Sequence, residues 1–142
     1  MANMSNEKDY QLTLTVPTPE EFCALRKVAG LSPRNLISAT RGLPNSLMGV
    51  SIRKQGQLVA MARVVGDGSI VFEVVDVAVT PSEQGHGLGK QLMRAVTNYL
   101  SENAPADADV SLIADVPADH LYAQFGFQPT APESIGMVWH RE

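Results

Sequence analysis

The stretch Val74–Leu92, VVDVAVTPSEQGHGLGKQL, constrains this chain more than any other part of it. It begins as an apolar run, breaks at Thr80-Pro81 and passes through Gln84-Gly85-His86-Gly87-Leu88-Gly89-Lys90. Beyond the turn, Leu88, Leu92, Ala95, Val96 and Leu100 form an apolar stripe that predicts a helix over 87–102. Gly85, Gly87 and Gly89 let the backbone take φ values that other residues resist and let a ligand come close to it. The unpaired amides and the dipole at the helix N-terminus then attract an anion. Strand, glycine-rich turn and helix in that order describe a phosphate cradle. The spacing is not Gly-x-Gly-x-x-Gly and there is no Gly-Lys-[Ser/Thr], so neither the dinucleotide fingerprint nor the P-loop is present.

The rest of the chain is read around that cradle. Residues 1–9 are polar and predict a loose tail, leaving 10–142 as one domain. Gln11–Val16 alternates as a half-buried strand, and Pro17-Thr18-Pro19 stops it. Thr18 followed by Glu20 and Glu21 opens a helix over 19–28 whose face is Phe22, Leu25 and Val28. Ser32-Pro33 predicts a second helix over 33–40 with Leu36, Ile37 and Ala39 inward. Leu47–Lys54 and Gln57–Val65, joined at Gln55-Gly56, predict a hairpin, and Ile70–Val79 predicts a central strand buried on both faces. Val110–Ala114 predicts a strand parallel to it across the helix. A short helix from Pro117 to Gln124 follows, then a strand-like segment after Gly126-Phe127, and Ser134–Trp139 as a last strand. The fold class is α/β, a central mixed sheet flanked by helices on both faces.

Composition narrows the function. The 142 residues carry a net charge of −4, with no basic footprint for nucleic acid. The acidic balance favours a cationic partner such as an amine. The lone Cys23 rules out an internal disulfide, sits among apolar neighbours and fits a reducing, cytoplasmic setting. No apolar run approaches the ~20 residues of a membrane span, and the N-terminus lacks a signal-peptide core. Nothing calls for a metal.

Gln84-Gly85-His86-Gly87-Leu88-Gly89, with Val79-Thr80-Pro81 before it, resembles the acetyl-CoA motif Gln/Arg-x-x-Gly-x-Gly/Ala of the GNAT (Gcn5-related) N-acetyltransferases. A second stretch, Asp115–Phe127, is similar to that family's Asn-x-x-Ala-x-x-Leu-Tyr-x-x-x-Gly-Phe, matching at Ala118, Leu121, Tyr122, Gly126 and Phe127, with Asp115 in place of Asn. Val75-Asp76-Val77-Ala78-Val79 further resembles the Glu-Asp-Ile-Ala-Val of glucosamine-phosphate N-acetyltransferases, with Val75 where those carry Glu. The resemblance implies the GNAT fold over residues 10–140 and acetyl transfer to an amine. Coenzyme-binding positions would be Val77, Ala78, Val79, Gln84, Gly85, His86, Gly87, Leu88, Gly89, Lys90, Asp115 and Tyr122. It also implies that Tyr122 gives a proton to the departing thiolate, and that main-chain N–H groups around Val77–Val79 receive the oxyanion. A phenol near ~10 suits a thiol near ~8.5. Relatives are often dimers, and the apolar Ile135–Trp139 is the candidate segment for pairing across one.

The proton acceptor stays open at this stage. Asp76 lies in an apolar strand, where a carboxylate is costly unless paired or functional. It is either the general base or a structural partner of loop amides or of an arginine such as Arg63. Glu73, three residues earlier and expected on the other strand face, is the second candidate, and a water chain the third. His86 is read as a solvent-facing turn residue near phosphate. Lys90 is read either as a phosphate contact or as a solvated helix lysine. Arg34, Arg41 and Asn45 are the polar candidates for the acceptor pocket. Three readings of function follow: small-molecule N-acetylation, acetylation of a protein or peptide amine, and a coenzyme-binding sensor without turnover.

Overall fold

A computed structural model describes residues 9–141; the expected tail lies, but for its last residue, outside them. The elements are β1 (Tyr10–Thr13), α1 (Pro19–Val28), α2 (Leu36–Gly42), β2 (Met48–Lys54), β3 (Gln57–Gly66), β4 (Val71–Val79), α3 (Leu88–Asn103), β5 (Asp109–Leu112) and α4 (Asp119–Ala123). Short 3₁₀ turns occupy Leu43–Asn45 and Pro81–Glu83. The five strands follow the order β1-β2-β3-β4-β5. The first four form an antiparallel meander, and β5 joins β4 in parallel through the α3 crossover.

Each face of the sheet has its own core. Val50, Ile52, Val64, Phe72 and Val74 pack with Leu88, Leu92, Met93 and Val96 of α3. On the opposite face Phe22 and Leu25 of α1, Ala39 of α2 and Leu43 cover Leu58, Met61 and Ala78. Cys23 is partly buried at the edge of this second cluster. Helix α1 starts where the sequence predicts, with a capping box: Glu21 N–H donates to Thr18 Oγ1 and Thr18 N–H to Glu21 Oε1.

Five expectations are corrected. Helix α2 begins at Leu36, not at Pro33, because Asn35 Oδ1 accepts from Ser38 N at 2.7 Å and caps it there. Its apolar face is mostly outside: Ile37 is 73% exposed and only Ala39 is buried. On α1, Val28 is exposed while Arg26, four residues after Phe22, takes the inward position. Strand β4 is covered on its α3 face but lines a cleft on part of the other, so it is not buried on both. Finally, no last strand forms. Residues 128–141 contain no helix or strand, and Ile135, Met137, Val138 and Trp139 are exposed.

One local feature of β4 governs the site. Its register against β3 shifts between Met61 and Arg63, so that Arg63 opposes Val75 and Met61 opposes Ala78. The extra residue is absorbed at Asp76, whose φ of 58° lies in the left-handed region. Before the bulge the even residues Phe72 and Val74 face α3; after it the odd residues Val77 and Val79 do.

Candidate active site

Strands β4 and β5 are paired only from Val71 against Asp109 to Val74 against Leu112. Beyond Val74, β4 runs on to Val79 paired with β3 but without β5, and the gap opens into a cleft of about 930 Å³. Its walls include Glu73–Val79 of β4, the turn at Gln84–Lys90, Asp115–Ala118 and Tyr122, with Arg26 and residues 29–32 closing one side.

The main chain of β4 offers hydrogen-bond groups to this cleft. Thr80 N–H donates to Val59 O at 2.8 Å, and Ala78 pairs with Met61, so those groups turn towards β3. Strand alternation therefore turns the amides of Val77 and Val79 the other way, towards the gap. Gln84 Nε2 reaches Val79 O at 3.4 Å, which folds that side chain onto the strand end. Of the three β4 residues assigned from sequence, Ala78 has its backbone engaged within the sheet.

The turn forms the cradle's backbone. Gly85 and Gly87 have φ of 87° and 79°, and a Cβ built at either meets nothing within 4 Å, so both border open space. Gly87 is the N-cap of α3, with no side chain bonded to the helix amides and no acid in the first turn. Helix α1, by contrast, carries both a capping box and acids. The exposed N-terminal amides of α3 are thus left for an anion, and the cradle fits a diphosphate. Lys90 is exposed in that first turn, where a cation opposes the helix dipole unless an anion lies beside it. Leu88 is a core residue and has only its backbone to offer. Gly89 has a different reason to be glycine: a Cβ there would stand 3.0 Å from Leu121 Cδ2 of α4.

His86 is exposed and also folds back along the turn. Its Nδ1 lies 3.2 Å from Tyr10 Oη and 3.2 Å from Glu83 O. Tyr10 donates to Glu83 Oε1, which pushes the Tyr10 phenol up to about 12, and Lys54 Nζ stands 3.4 Å from the same carboxylate. This cluster ties the turn to β1 and β2.

Asp76 is fully engaged. Arg26 Nη1 donates to Oδ1, and Arg63 Nε donates to Oδ2 at 2.5 Å. Arg26 also donates from Nε to Ser32 O at 2.8 Å, and Arg63 from Nη1 to Ser46 Oγ at 3.1 Å. Of the two readings of Asp76, the geometry is that of the arginine partner. Arg26 was not legible as a site residue, although an arginine on the Phe22 stripe is a signal that it has a buried partner. Glu73 alternates with Phe72 and Val74, so it faces away from α3. The bulge brings Asp76 round to that same face, and both carboxylates line the cleft, which corrects the expected opposition.

Tyr122 is 8% exposed and lines the cleft across from β4, its ring edge-on to Phe127 at 6.5 Å. Burial, and then the charge of Asp115, push its phenol upward, so it is protonated at neutral pH. Among the described residues no cluster of three His, Cys, Asp or Glu side chains could hold a metal. Arg41 and Asn45 lie on the surface outside the cleft, with Asn45 Nδ2 bonded to Arg41 O. No helix of the described residues is long and apolar enough to cross a membrane.

A mixed sheet that splays beside an uncapped, glycine-led helix frames this cleft, and the chain belongs to the GNAT acetyltransferase family, whose acetyltransferase (GNAT) domain matches residues 38–137. A Staphylococcus aureus protein of unknown function, described as a probable acetyltransferase, is similar at 44% identity and a TM-score of 0.89, over 93% of this chain and 99% of that one. A GNAT family protein of Streptococcus pneumoniae shares the fold, with a TM-score of 0.76 at 23% identity over 93% and 98% of the two chains. Histone acetyltransferase TAP1 of Glycine max is 31% identical over 117 residues, 82% of this chain and 49% of that protein. The chain spans about half the length of the first curated relatives it matches.

Proposed function

We propose that this chain transfers an acetyl group from acetyl-CoA to a primary amine of a small molecule, by direct attack in a ternary complex. The observation that carries the reading is the continuity of three features in one cleft: uncapped α3 amides, unpaired β4 main chain and a buried phenol. The amides from Gly85 to Lys90 would hold the diphosphate, and the β4 edge at Val77 and Val79 the pantetheine arm and thioester. Acetyl-CoA supplies an acyl carbon already activated for attack by nitrogen.

Glu73, the β4 carboxylate of the cleft that is not taken up by arginines, accepts the amine proton directly or through water. Asp76 holds Arg26 and Arg63 in place and is not assigned as the base. The Val77 or Val79 amide donates to the oxygen that gains charge as the nitrogen–carbon bond forms. When the carbon–sulfur bond breaks, the Tyr122 hydroxyl gives its proton to the sulfur. Cys23 lies in the α1 cluster away from the cleft lining, so no covalent acyl-enzyme is assigned.

A protein amine is the second reading, favoured by the histone acetyltransferase name of a relative. The test is to incubate the purified chain with acetyl-CoA and parallel panels of small amines and basic peptides, following thiol release. Release with small amines supports the proposal; release with peptides alone transfers it to the second reading. Coenzyme binding without release for any amine makes the chain a sensor, and binding of neither overturns the coenzyme site. The exposed apolar segment Ile135–Trp139 supports a homodimer, which sedimentation at micromolar concentration would detect; a monomer there removes the idea.

A further inference from the structure

A second, smaller cavity of about 260 Å³ opens between α1, α2 and the bulge of β4. Its walls include Phe22, Arg34, Ser38 and Arg63, and it meets the main cleft at Val75 and Asp76, which line both. The charges do not balance. Arg34 and Arg63 face the cavity with Asp76, and both Asp76 oxygens are already taken, one of them by the buried Arg26 behind it. Burial holds the Arg26 guanidinium below its ordinary value; Asp76 opposes this, while Arg34 and Arg63 repel it.

The two cavity arginines are held in place with N–H groups to spare. Arg63 spends Nε on Asp76 and Nη1 on Ser46, and its guanidinium sits 5.8 Å over the Phe22 ring. Arg34 spends Nη1 on Ser32 Oγ at 2.8 Å and Pro33 O at 3.1 Å. Among the described residues no hydrogen bond engages Nη2 of either. A planar guanidinium edge matches the paired oxygens of a carboxylate or phosphate. Phe22, Ala39 and Leu43 supply apolar walls, where such a contact is stronger than in water. In a chain of net charge −4 this is a local inversion of sign, which draws in an anion that the remaining surface repels. The volume falls below the ~300–1,000 Å³ of drug-sized sites, which suits a compact metabolite.

Resting on the acetyl-transfer reading above, we propose that the acceptor is a small amine that also carries an anionic group, a carboxylate or a phosphate, seated between Arg34 and Arg63 with its amine directed along Val75 towards Glu73. The sequence's acidic balance thus misdirects: the acceptor is cationic at the reacting end only.

Matched acceptors test this with the full chain and acetyl-CoA: β-alanine against propylamine, and aminoethyl phosphate against ethanolamine. The expected kcat/KM favours one or both anionic members by ~10–100-fold, the size of a hydrogen-bonded charge contact; which pair responds separates carboxylate from phosphate. Arg34→Gln should collapse that ratio towards one, through acceptor KM, with Arg34→Lys retaining part of it. Neutral members used as well as the anionic ones overturn the proposal while acetyl transfer stands. No thiol release with any of the four amines counts against acetyl transfer instead. Titration calorimetry of aminoethyl phosphate, β-alanine and their neutral partners then decides the cavity, and equal or absent binding overturns it.

Discussion

Gly89 and Leu121 meet where the two motifs of this chain touch: a Cβ at Gly89 would lie 3.0 Å from Leu121 Cδ2. The first turn of α3 thus packs closely on α4 where position 89 has no side chain, and α4 carries Tyr122 next to that contact. Gly89→Val should cost about 1–3 kcal/mol by overpacking. It should also lower kcat more than it raises the KM for acetyl-CoA, because the contact sets the place of Tyr122. Urea denaturation and steady-state kinetics check both; a stable variant with full kcat would show that α4 is not positioned this way.

Gly87 carries the cradle. At φ 79° any L side chain is strained by about 1–2 kcal/mol, and Gly87→Glu would add a negative charge at the helix N-terminus where phosphate belongs. The expected outcome is loss of coenzyme A binding by calorimetry, with the fold retained. Unchanged affinity would remove the anion site from this turn.

Three substitutions separate the roles in the cleft. Asp76→Asn leaves the buried Arg26 without its counter-charge and should destabilise the fold by about 3–5 kcal/mol. Glu73→Gln, which loses no hydrogen bond or ion pair among the described residues, should leave stability within about 0.5 kcal/mol while lowering kcat ~10²–10⁴-fold. Tyr122→Phe should lower kcat over the same range with coenzyme affinity unchanged. If Asp76→Asn were stable and inactive and Glu73→Gln active, the assignments of the two carboxylates would be reversed.

Acid should loosen the start of α1 first. Glu21, bonded to Arg53 and to the Thr18 amide, is held down at about 2 from an ordinary 4.5. A depressed folded value means the stabilisation is complete above the unfolded value of about 4.5 and is lost as pH falls through about 2. Thermal unfolding followed from pH 6 downward should therefore show a slope between those values that Glu21→Gln reduces, Asp67 and Glu83 being held down as well; an identical slope in the variant would place the acid sensitivity elsewhere.

The sequence by itself determined the strand–turn–helix core, the position of the glycines and the capping of α1, because these depend on local periodicity and on backbone freedom within a few residues. It also placed Tyr122 and Glu73 among the candidates. It could not decide what Asp76 does, since a carboxylate in an apolar run looks the same whether it is a base or the counter-ion of two arginines distant in the chain. Arg26 and Arg63 reach it only after α1 has folded over the sheet. The bulge is equally non-local: an extra residue shows only when β4 is laid against β3, and that single slip decides which carboxylates share a face. The apolar Ser134–Trp139 illustrates the converse, because strand propensity without a neighbouring edge to bond leaves the segment outside the sheet.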